Sequence, residues 1–248
     1  GSIVWEYFPQ NLGIDPTDSS LYNFYSAQFL DDQNGDNVPD LLVTNGGDHK
    51  AGLFDPRPPG NIMIVSGVDG NLLAIASTPD SAEIYCSPVI LDHGTSSTPN
   101  IIFGTGGEQN GGSMFVTTLQ DLLNNDISNA IVLTSNLLKG FIAPASLADF
   151  TNDGFLDIVV QSFDGVIQAF DGLTFQSIWS KSFAGCESSS APTIGNFTGG
   201  DLVPDVFNVV YKGTTPTYFD YYQVMIDGAT GELSFFDSIG SMQFPSST

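Results

Sequence analysis

The chain has 248 residues, of which 41% are apolar and 13% are charged. Its 28 acidic residues face 5 lysines and arginines, so the net charge is −23, which opposes binding to nucleic-acid phosphates and to anionic bilayers. No apolar stretch approaches the roughly 18 residues of a membrane span. The composition therefore predicts a soluble, folded protein and excludes nucleic acid and membrane insertion.

Most of the acidic residues are aspartate, with 23 Asp against 5 Glu. Glu is the better helix former, whereas Asp is favoured in turns, helix caps and calcium-binding loops. The acidity is therefore expected mainly in loops.

Four copies of one sequence unit run along the chain. Each copy has a short apolar run, a polar loop that ends in Asp or Asn, and a second apolar run. The loops end at Asp40, Asn100, Asp157 and Asp205, which are 60, 57 and 48 residues apart, near or above the ~40–50 residues of a propeller blade. We place the units at residues 24–80, 84–138, 141–183 and 188–240.

Further β-rich runs follow each loop, and hairpin signals that contain glycine separate several of them. The predicted strands are residues 61–65, 72–76, 114–117, 166–170, 177–179, 223–226 and 233–236. Residues 119–129 differ, because they have helix formers and no glycine, and a short inserted helix is expected there. Each unit should form a four-stranded antiparallel sheet, which predicts an all-β fold, a β-propeller, with a stacked solenoid as the alternative.

The two ends of the chain resemble parts of a unit. Residues 3–7 resemble a last strand, so residues 1–10 are expected to be the outer strand of a preceding or closing blade. Residues 244–248 resemble the start of a unit. We therefore expect the chain to be part of a larger propeller or of an assembly. In the alternative, a closed ring of four blades, residues 3–7 would pair near residues 233–236.

The first loop places oxygen-bearing groups at alternate positions. Positions 1, 3, 5 and 9 are Asp32, Asn34, Asp36 and Asp40, position 7 offers the carbonyl of Val38, and position 6 is Asn37. Alternate oxygen ligands of this kind can wrap a hard cation if position 6 turns sharply, and Asn tolerates the left-handed conformation that such a turn needs. We predict a calcium site in this loop.

The third loop repeats the pattern. The corresponding groups are Asp149, Thr151, Asp153, Asp157 and the carbonyl of Phe155, with Gly154 at the turn. The second loop offers only Asp92, Ser96 and Asn100, and the longer fourth loop keeps only Asp201 and Asp205. The sequence therefore predicts two calcium sites, with ion-free turns rich in Asp and Asn as the alternative.

These loops resemble the calcium loops of FG-GAP and VCBS repeats, as in the propeller of integrin α subunits. The segment IFGTGGE at residues 102–108 adds to this resemblance, which covers nearly the whole chain. The resemblance implies a calcium-stabilised propeller that acts as a non-catalytic adhesion or structural module of a surface or a fibre. Its partner would be a protein, a glycan or copies of the chain itself.

An enzymatic alternative stays open. Residues 68–73 and 170–172 resemble the outer hairpins of quinoprotein propellers, although a tricarboxylate cofactor calls for cationic residues that are scarce here. A propeller domain of a secreted carbohydrate-active or quinoprotein-type enzyme is thus the second hypothesis. We assign no catalytic residue and no cofactor other than calcium.

Three more residues bear on location and modification. Cys86 and Cys186 are the only cysteines in the sequence, and they could form one disulfide. Asn196 begins the one glycosylation sequon. Calcium loops of extracellular modules operate at millimolar calcium, so we expect a secreted or cell-surface protein.

Overall fold

The computed structural model describes residues 2–6, 23–46, 52, 55–94 and 98–238. These residues form four antiparallel sheets, which we call blades 1 to 4. Blade 1 contains β1 (Gln28–Leu30), β2 (Asp40–Asn45), β3 (Asn61–Val65) and β4 (Leu72–Ser77). Blade 2 contains β5 (Val89–Leu91), β6 (Asn100–Gly104), β7 (Gly112–Thr118) and β8 (Ile131–Asn136), with the helix α1 (Leu119–Leu123) between its last two strands.

Blades 3 and 4 complete the described part of the chain. Blade 3 contains β9 (Ser146–Ala148), β10 (Asp157–Ser162), β11 (Val166–Phe170) and β12 (Ser177–Ser182). Blade 4 contains β13 (Cys186–Glu187), β14 (Thr193–Gly195), β15 (Asp205–Thr214), β16 (Thr217–Ile226) and β17 (Leu233–Ser238). Its inner position is shared by β13 and β14, which pair with different parts of β15.

In every blade the strands follow one another from an inner to an outer position, and consecutive blades pack face to face. This arrangement is a β-propeller and confirms the predicted fold class. The predicted strands are present, whereas β8 and β13 were not predicted from the sequence. The predicted helix is present but ends at Leu123. Within the described ranges, no helix has the length and hydropathy needed to cross a membrane.

The second strands of blades 2 and 3 are apolar on both faces because a neighbouring blade covers each face. In β6, Ile101 and Phe103 join the core between blades 1 and 2, whereas Ile102 joins the core between blades 2 and 3. Successive strand residues point to opposite faces of a sheet. The uninterrupted apolar runs of these sequence units therefore correspond to strands that are buried on both faces.

In two places the N–H group of a tryptophan ring donates a hydrogen bond to a glycine carbonyl at the end of a blade. Trp179, on β12 of blade 3, donates from Nε1 to the Gly228 carbonyl of blade 4 at 2.7 Å. Trp5 donates in the same way to the Gly67 carbonyl of blade 1 at 2.8 Å, although residues 2–6 are not assigned as a strand. Both glycines follow the third strand of their blade. Trp5 thus lies on blade 1 as Trp179 lies on blade 4, while residues 1 and 7–10 are outside the described residues.

Each indole packs against a second glycine of the same hairpin. Gly70 and Gly231 have positive φ values of 74° and 72°. An added Cβ would lie 2.7 Å from Trp5 Cε3 at Gly70 and 2.7 Å from Trp179 Cβ at Gly231. The glycines therefore meet two requirements, a left-handed backbone and a close approach of the ring.

We expect Gly231→Ala to destabilise the protein by roughly 1–3 kcal/mol, because alanine at this φ is strained, and its Cβ would also press on Trp179. Equilibrium unfolding in denaturant measures the change. Gly200→Ala is the matched control, since no positive φ is recorded there and no atom lies within 4 Å of an added Cβ. Equal stability of the two variants would contradict this account of the contact between blades 3 and 4.

Candidate metal centres in the inner loops

The acid at position 9 of the first loop is buried and accepts hydrogen bonds from the backbone. Asp40 Oδ2 accepts from Gln33 N–H at 2.7 Å, and Asp40 Oδ1 accepts from Gly67 N–H at 3.1 Å. Asp40 therefore ties the loop between β1 and β2 to the hairpin between β3 and β4. Its 0% exposure fits this internal position.

Asp157 does the same in blade 3. Its Oδ2 accepts from the N–H groups of Phe150 and Thr151, both at 2.8 Å, and its Oδ1 accepts from Gly172 N–H at 2.9 Å. Hydrogen bonds to a charged acceptor contribute more than neutral ones. The acid that the sequence predicted as a calcium ligand thus has a structural role that the sequence analysis missed.

Blade 4 shows that this role does not depend on a metal pattern. Asp205 Oδ2 accepts from Phe197 N–H, Thr198 N–H and Thr198 Oγ1, at 2.9, 2.8 and 2.9 Å. The loop of Asp205 was predicted to bind no calcium. In blade 2 the place is taken by Asn100, where α1 replaces the glycine hairpin and Leu119 N–H bonds to the Pro99 carbonyl instead.

The acid at position 1 organises the first loop. Asp32 Oδ1 accepts from the N–H groups of Asn34 and Gly35 at 3.0 and 2.7 Å, and Asp32 Oδ2 accepts from Asn37 N–H at 2.7 Å. The bond from Asn37, followed by those from other backbone N–H groups, lowers the pKa of Asp32. Asn37 has a φ of 67°, so the sharp turn predicted at position 6 is confirmed.

The third loop has the same backbone turns as the first. Asp149 accepts from Asp153 N–H at 3.1 Å and from Gly154 N–H at 2.9 Å. Positive φ values recur at positions 4 and 6, which are Gly35 and Asn37 in the first loop (85° and 67°) and Asn152 and Gly154 in the third loop (56° and 90°). Two loops of different sequence therefore adopt one conformation.

The groups that face solvent in these loops are the ones available to an ion. Asn34, Asp36, Thr151 and Asp153 are exposed, and Asp32 and Asp149 are partly exposed. Across the described residues, no three His, Cys, Asp or Glu side chains come together as a metal-binding group. A calcium ion would therefore depend also on Asn34 or Thr151 and on the Val38 or Phe155 carbonyls. Oxygen ligands of these types suit calcium, so the residues fit the ion, with Asp40 and Asp157 holding the loops.

The two cysteines are free and buried, and they are not joined by the disulfide that the sequence allowed. Cys86 Sγ lies 3.8 Å from the Gly104 carbonyl and 3.7 Å from the Phe141 carbonyl, whereas Cys186 belongs to the core between blades 3 and 4. The two thiols occupy different spaces between blades. Burial raises the pKa of Cys86 to about 11, which keeps this thiol protonated and unreactive.

Two other loop residues are placed by the structure. Asn196 is exposed, and the nearby Thr198 hydroxyl of its sequon is bonded to Asp205; glycosylation there stays a prediction. His93, whose ring Nε2 is 3.2 Å from the Gly172 carbonyl, packs its edge on Phe155 at 5.5 Å. In blade 2 this histidine thus takes the place that the indoles of Trp5 and Trp179 take at the equivalent carbonyls.

Comparisons with known proteins add little to this geometry. No protein-family model matches the chain, and no curated protein matches it. Among solved structures, BamB from Moraxella catarrhalis is similar with a TM-score of 0.41 and 12% sequence identity, over 82% of this chain and 62% of that chain. This chain therefore spans less than two thirds of the BamB chain, and similarity at this level carries no argument about function.

We expect Asp205→Asn to lower the free energy of unfolding by about 1–3 kcal/mol, because an amide loses the charge that three donors share and can turn an N–H toward them. Denaturant unfolding in excess chelator separates this effect from any metal. Asp201→Asn, in the same exposed loop, is the control, since its side-chain oxygen can still accept from Val203 N–H. A stability unchanged by Asp205→Asn would refute the structural role.

Proposed function

We propose that this chain is an extracellular, calcium-stabilised β-propeller that acts as a non-catalytic adhesion or structural module. The observation that carries the proposal is the pair of loops with matching turns, one in blade 1 and one in blade 3. Both present side-chain oxygens at positions 1, 3 and 5 next to a carbonyl at position 7. The loops of blades 2 and 4 do not share this pattern.

Mutual repulsion among carboxylates is the physical reason for a stabilising ion. Asp32 and Asp36 lie in one short loop of a protein with a net charge of −23. A divalent cation between them would offset this repulsion, and it would hold the loop in the conformation that Asp40 already fixes at its base. Loops on rigid strands that need millimolar calcium would be filled outside the cell, which supports the extracellular assignment.

The outward face of blade 4 supports a role in assembly. Side chains alternate between the two faces along the strands of blade 4. Those that do not join the core with blade 3 point away from it, and they include Phe207, Met225 and Phe235. Phe207 contacts Phe197 at 6.4 Å between ring centroids, and the exposed fractions of Phe197 and Phe235 are 45% and 44%. The equivalent faces of blades 1 to 3 are buried in blade contacts.

The position of Trp5 argues against closure of blade 4 on blade 1 of the same chain. Phe235 pairs with Met225 as Trp179 pairs with Ala169, and each of these pairs lies three residues before the hairpin glycine. Phe235 is therefore the blade 4 equivalent of Trp179. Its counterpart site on blade 1, at Gly67 and Gly70, already holds Trp5. We propose that blade 4 packs on a copy of the chain.

Calcium should raise the stability of the protein. At a free concentration of about 100 times the dissociation constant, each site would add about 2.7 kcal/mol, so excess chelator should lower the melting temperature. Asp32→Asn and Asp149→Asn should each remove part of the calcium response, because the amide loses the charge that attracts the ion. The amide NH2 group also cannot accept the backbone bonds of the second carboxylate oxygen, so each variant is compared with itself in excess chelator. Asp92→Asn, in a loop without the pattern, should leave the response intact. A melting curve that chelator does not change would overturn the calcium proposal.

Association through blade 4 should depend on concentration. Light scattering after size-exclusion chromatography should give a mass above that of one chain at high concentration, and Phe235→Asp should lower it. Leu202→Asp places the same charge on a loop residue that is 85% exposed, and it should have no effect. A single-chain mass at all concentrations would reject contact between copies.

A further inference from the structure

The end of the molecule opposite the calcium loops carries different charges. Strand direction alternates in each blade, so the connections between second and third strands lie at this opposite end, together with the connections between blades. Arg57 and Lys139 lie in such connections, and Lys212 lies near the end of β15. The connections at the calcium-loop end contain many aspartates and no lysine or arginine. Three of the five cations thus lie away from the acidic loops, whereas Lys181 pairs with Glu232, in the hairpin before β17, at 3.6 Å.

A cavity of about 260 Å³ lies at this opposite end, between blades 1 and 2. Its lining comes from four connections, so it exists only where the two blades meet. The lining residues that matter for binding are Arg57, Glu83, Tyr85, Gln109, Asn110 and Ile142. The volume is somewhat below the roughly 300–1,000 Å³ of sites for drug-sized ligands, which suits a ligand of a single ring.

Hydrogen bonds within the protein fix the guanidinium of Arg57. Its Nε donates to Tyr85 Oη at 2.9 Å, and its Nη1 donates to the carbonyls of Gly52 and Asp55 at 3.1 and 2.7 Å. Arg57 makes no ion pair with any carboxylate of the described residues. Among the described residues Nη2 has no recorded hydrogen bond, so it can donate to a ligand, in an orientation set by the three bonds of Nε and Nη1.

Glu83 provides the complementary acceptor. Its side chain is almost fully buried, with a residue exposure of 4%, and its Oε1 accepts from Asn110 Nδ2 at 3.0 Å. Among the described residues this is the one hydrogen bond to the Glu83 carboxylate, so Oε2 can accept from a ligand. Gly107 allows the close packing of this carboxylate, because an added Cβ there would lie 2.9 Å from Oε1.

We propose that this cavity binds one neutral sugar residue, such as the terminal unit of a glycan. A hydroxyl group can accept from the Arg57 guanidinium and donate to Glu83, so neighbouring hydroxyls match both groups at once. An anion would be repelled by Glu83, by the nearby Glu108 and by the net charge, and a cation would face Arg57. Ile142 and the ring of Tyr85 offer apolar surface to the carbon atoms of the sugar, as in most small-molecule sites.

This site is separate from the calcium loops, so its test is separate as well. Saturation-transfer NMR and calorimetry would be run on the whole chain, in calcium, with the methyl glycosides of glucose, galactose, mannose and N-acetylglucosamine. At least one glycoside should bind. Arg57→Gln and Glu83→Gln should each weaken that binding at least tenfold, which corresponds to about 1.4 kcal/mol. Asp126→Asn removes a charge from an exposed residue of the connection between α1 and β8, away from the cavity, and it should change affinity less than threefold.

Several results would overturn the proposal. They are the absence of binding by all four glycosides, binding that survives both Arg57→Gln and Glu83→Gln, and preferential binding of glycine or inorganic phosphate. Melting temperatures show whether each variant is folded. If Glu83→Gln does not fold, Arg57→Gln decides, because its fixed partners are a tyrosine and two exposed loop carbonyls. Failure of glycoside binding with an intact calcium response would leave the proposed function standing, and the reverse result would leave this site standing.

Discussion

Burial of the sheets of blades 2 and 3 on both faces is the constraint on which the rest of this structure depends. A strand such as β6 has apolar side chains on both sides, so blade 2 cannot satisfy its residues without blade 1 and blade 3. At roughly 25 cal/mol per Å² of apolar surface, contacts between blades supply much of the stabilisation that folding requires. Most polar side chains and unpaired backbone groups therefore lie at the ends of the blades, where the chain reverses direction. Both candidate sites are found at those ends.

Buried aspartates accept hydrogen bonds from backbone N–H groups of the loops that would otherwise be unpaired. A loop at the rim of a tightly packed blade has backbone N–H groups that neither a strand nor water satisfies, and each would cost free energy if left unpaired. Asp40 and Asp157 each accept such groups from two separate connections of one blade. The same residue type therefore holds the loops of blades 1 and 3, which have the calcium pattern, and the loop of blade 4, which lacks it. An Asp-rich loop alone does not identify a metal ligand.

The fold was predictable from the sequence because its signals are local and repeated. Four apolar runs after four polar loops, with glycine hairpins between the later strands, were enough to predict blades of four strands. β8 was missed because residues 131–136 follow an inserted helix and have no hairpin glycine before them. The role of Asp157 was missed because its donors, Phe150 and Gly172, lie on both sides of it in sequence and meet only in the folded blade. The separation of the two cysteines could not be predicted, because spacing in a repeat does not show which side of a blade a cysteine faces.

The cavity between blades 1 and 2 could not be predicted from the sequence, because its lining residues are also far apart in the chain and meet only in the folded protein. Arg57, Glu83 and Asn110 come from three connections, and none of them belongs to a motif. They lie together because strand direction alternates within each blade, which places every second connection at the same end of the propeller. The same alternation keeps the aspartate-rich loops at the other end, so the proposed calcium sites and the proposed site for a neutral, hydroxyl-rich ligand are separate. A propeller built in this way can use one end to stabilise its fold and leave the other end free for recognition.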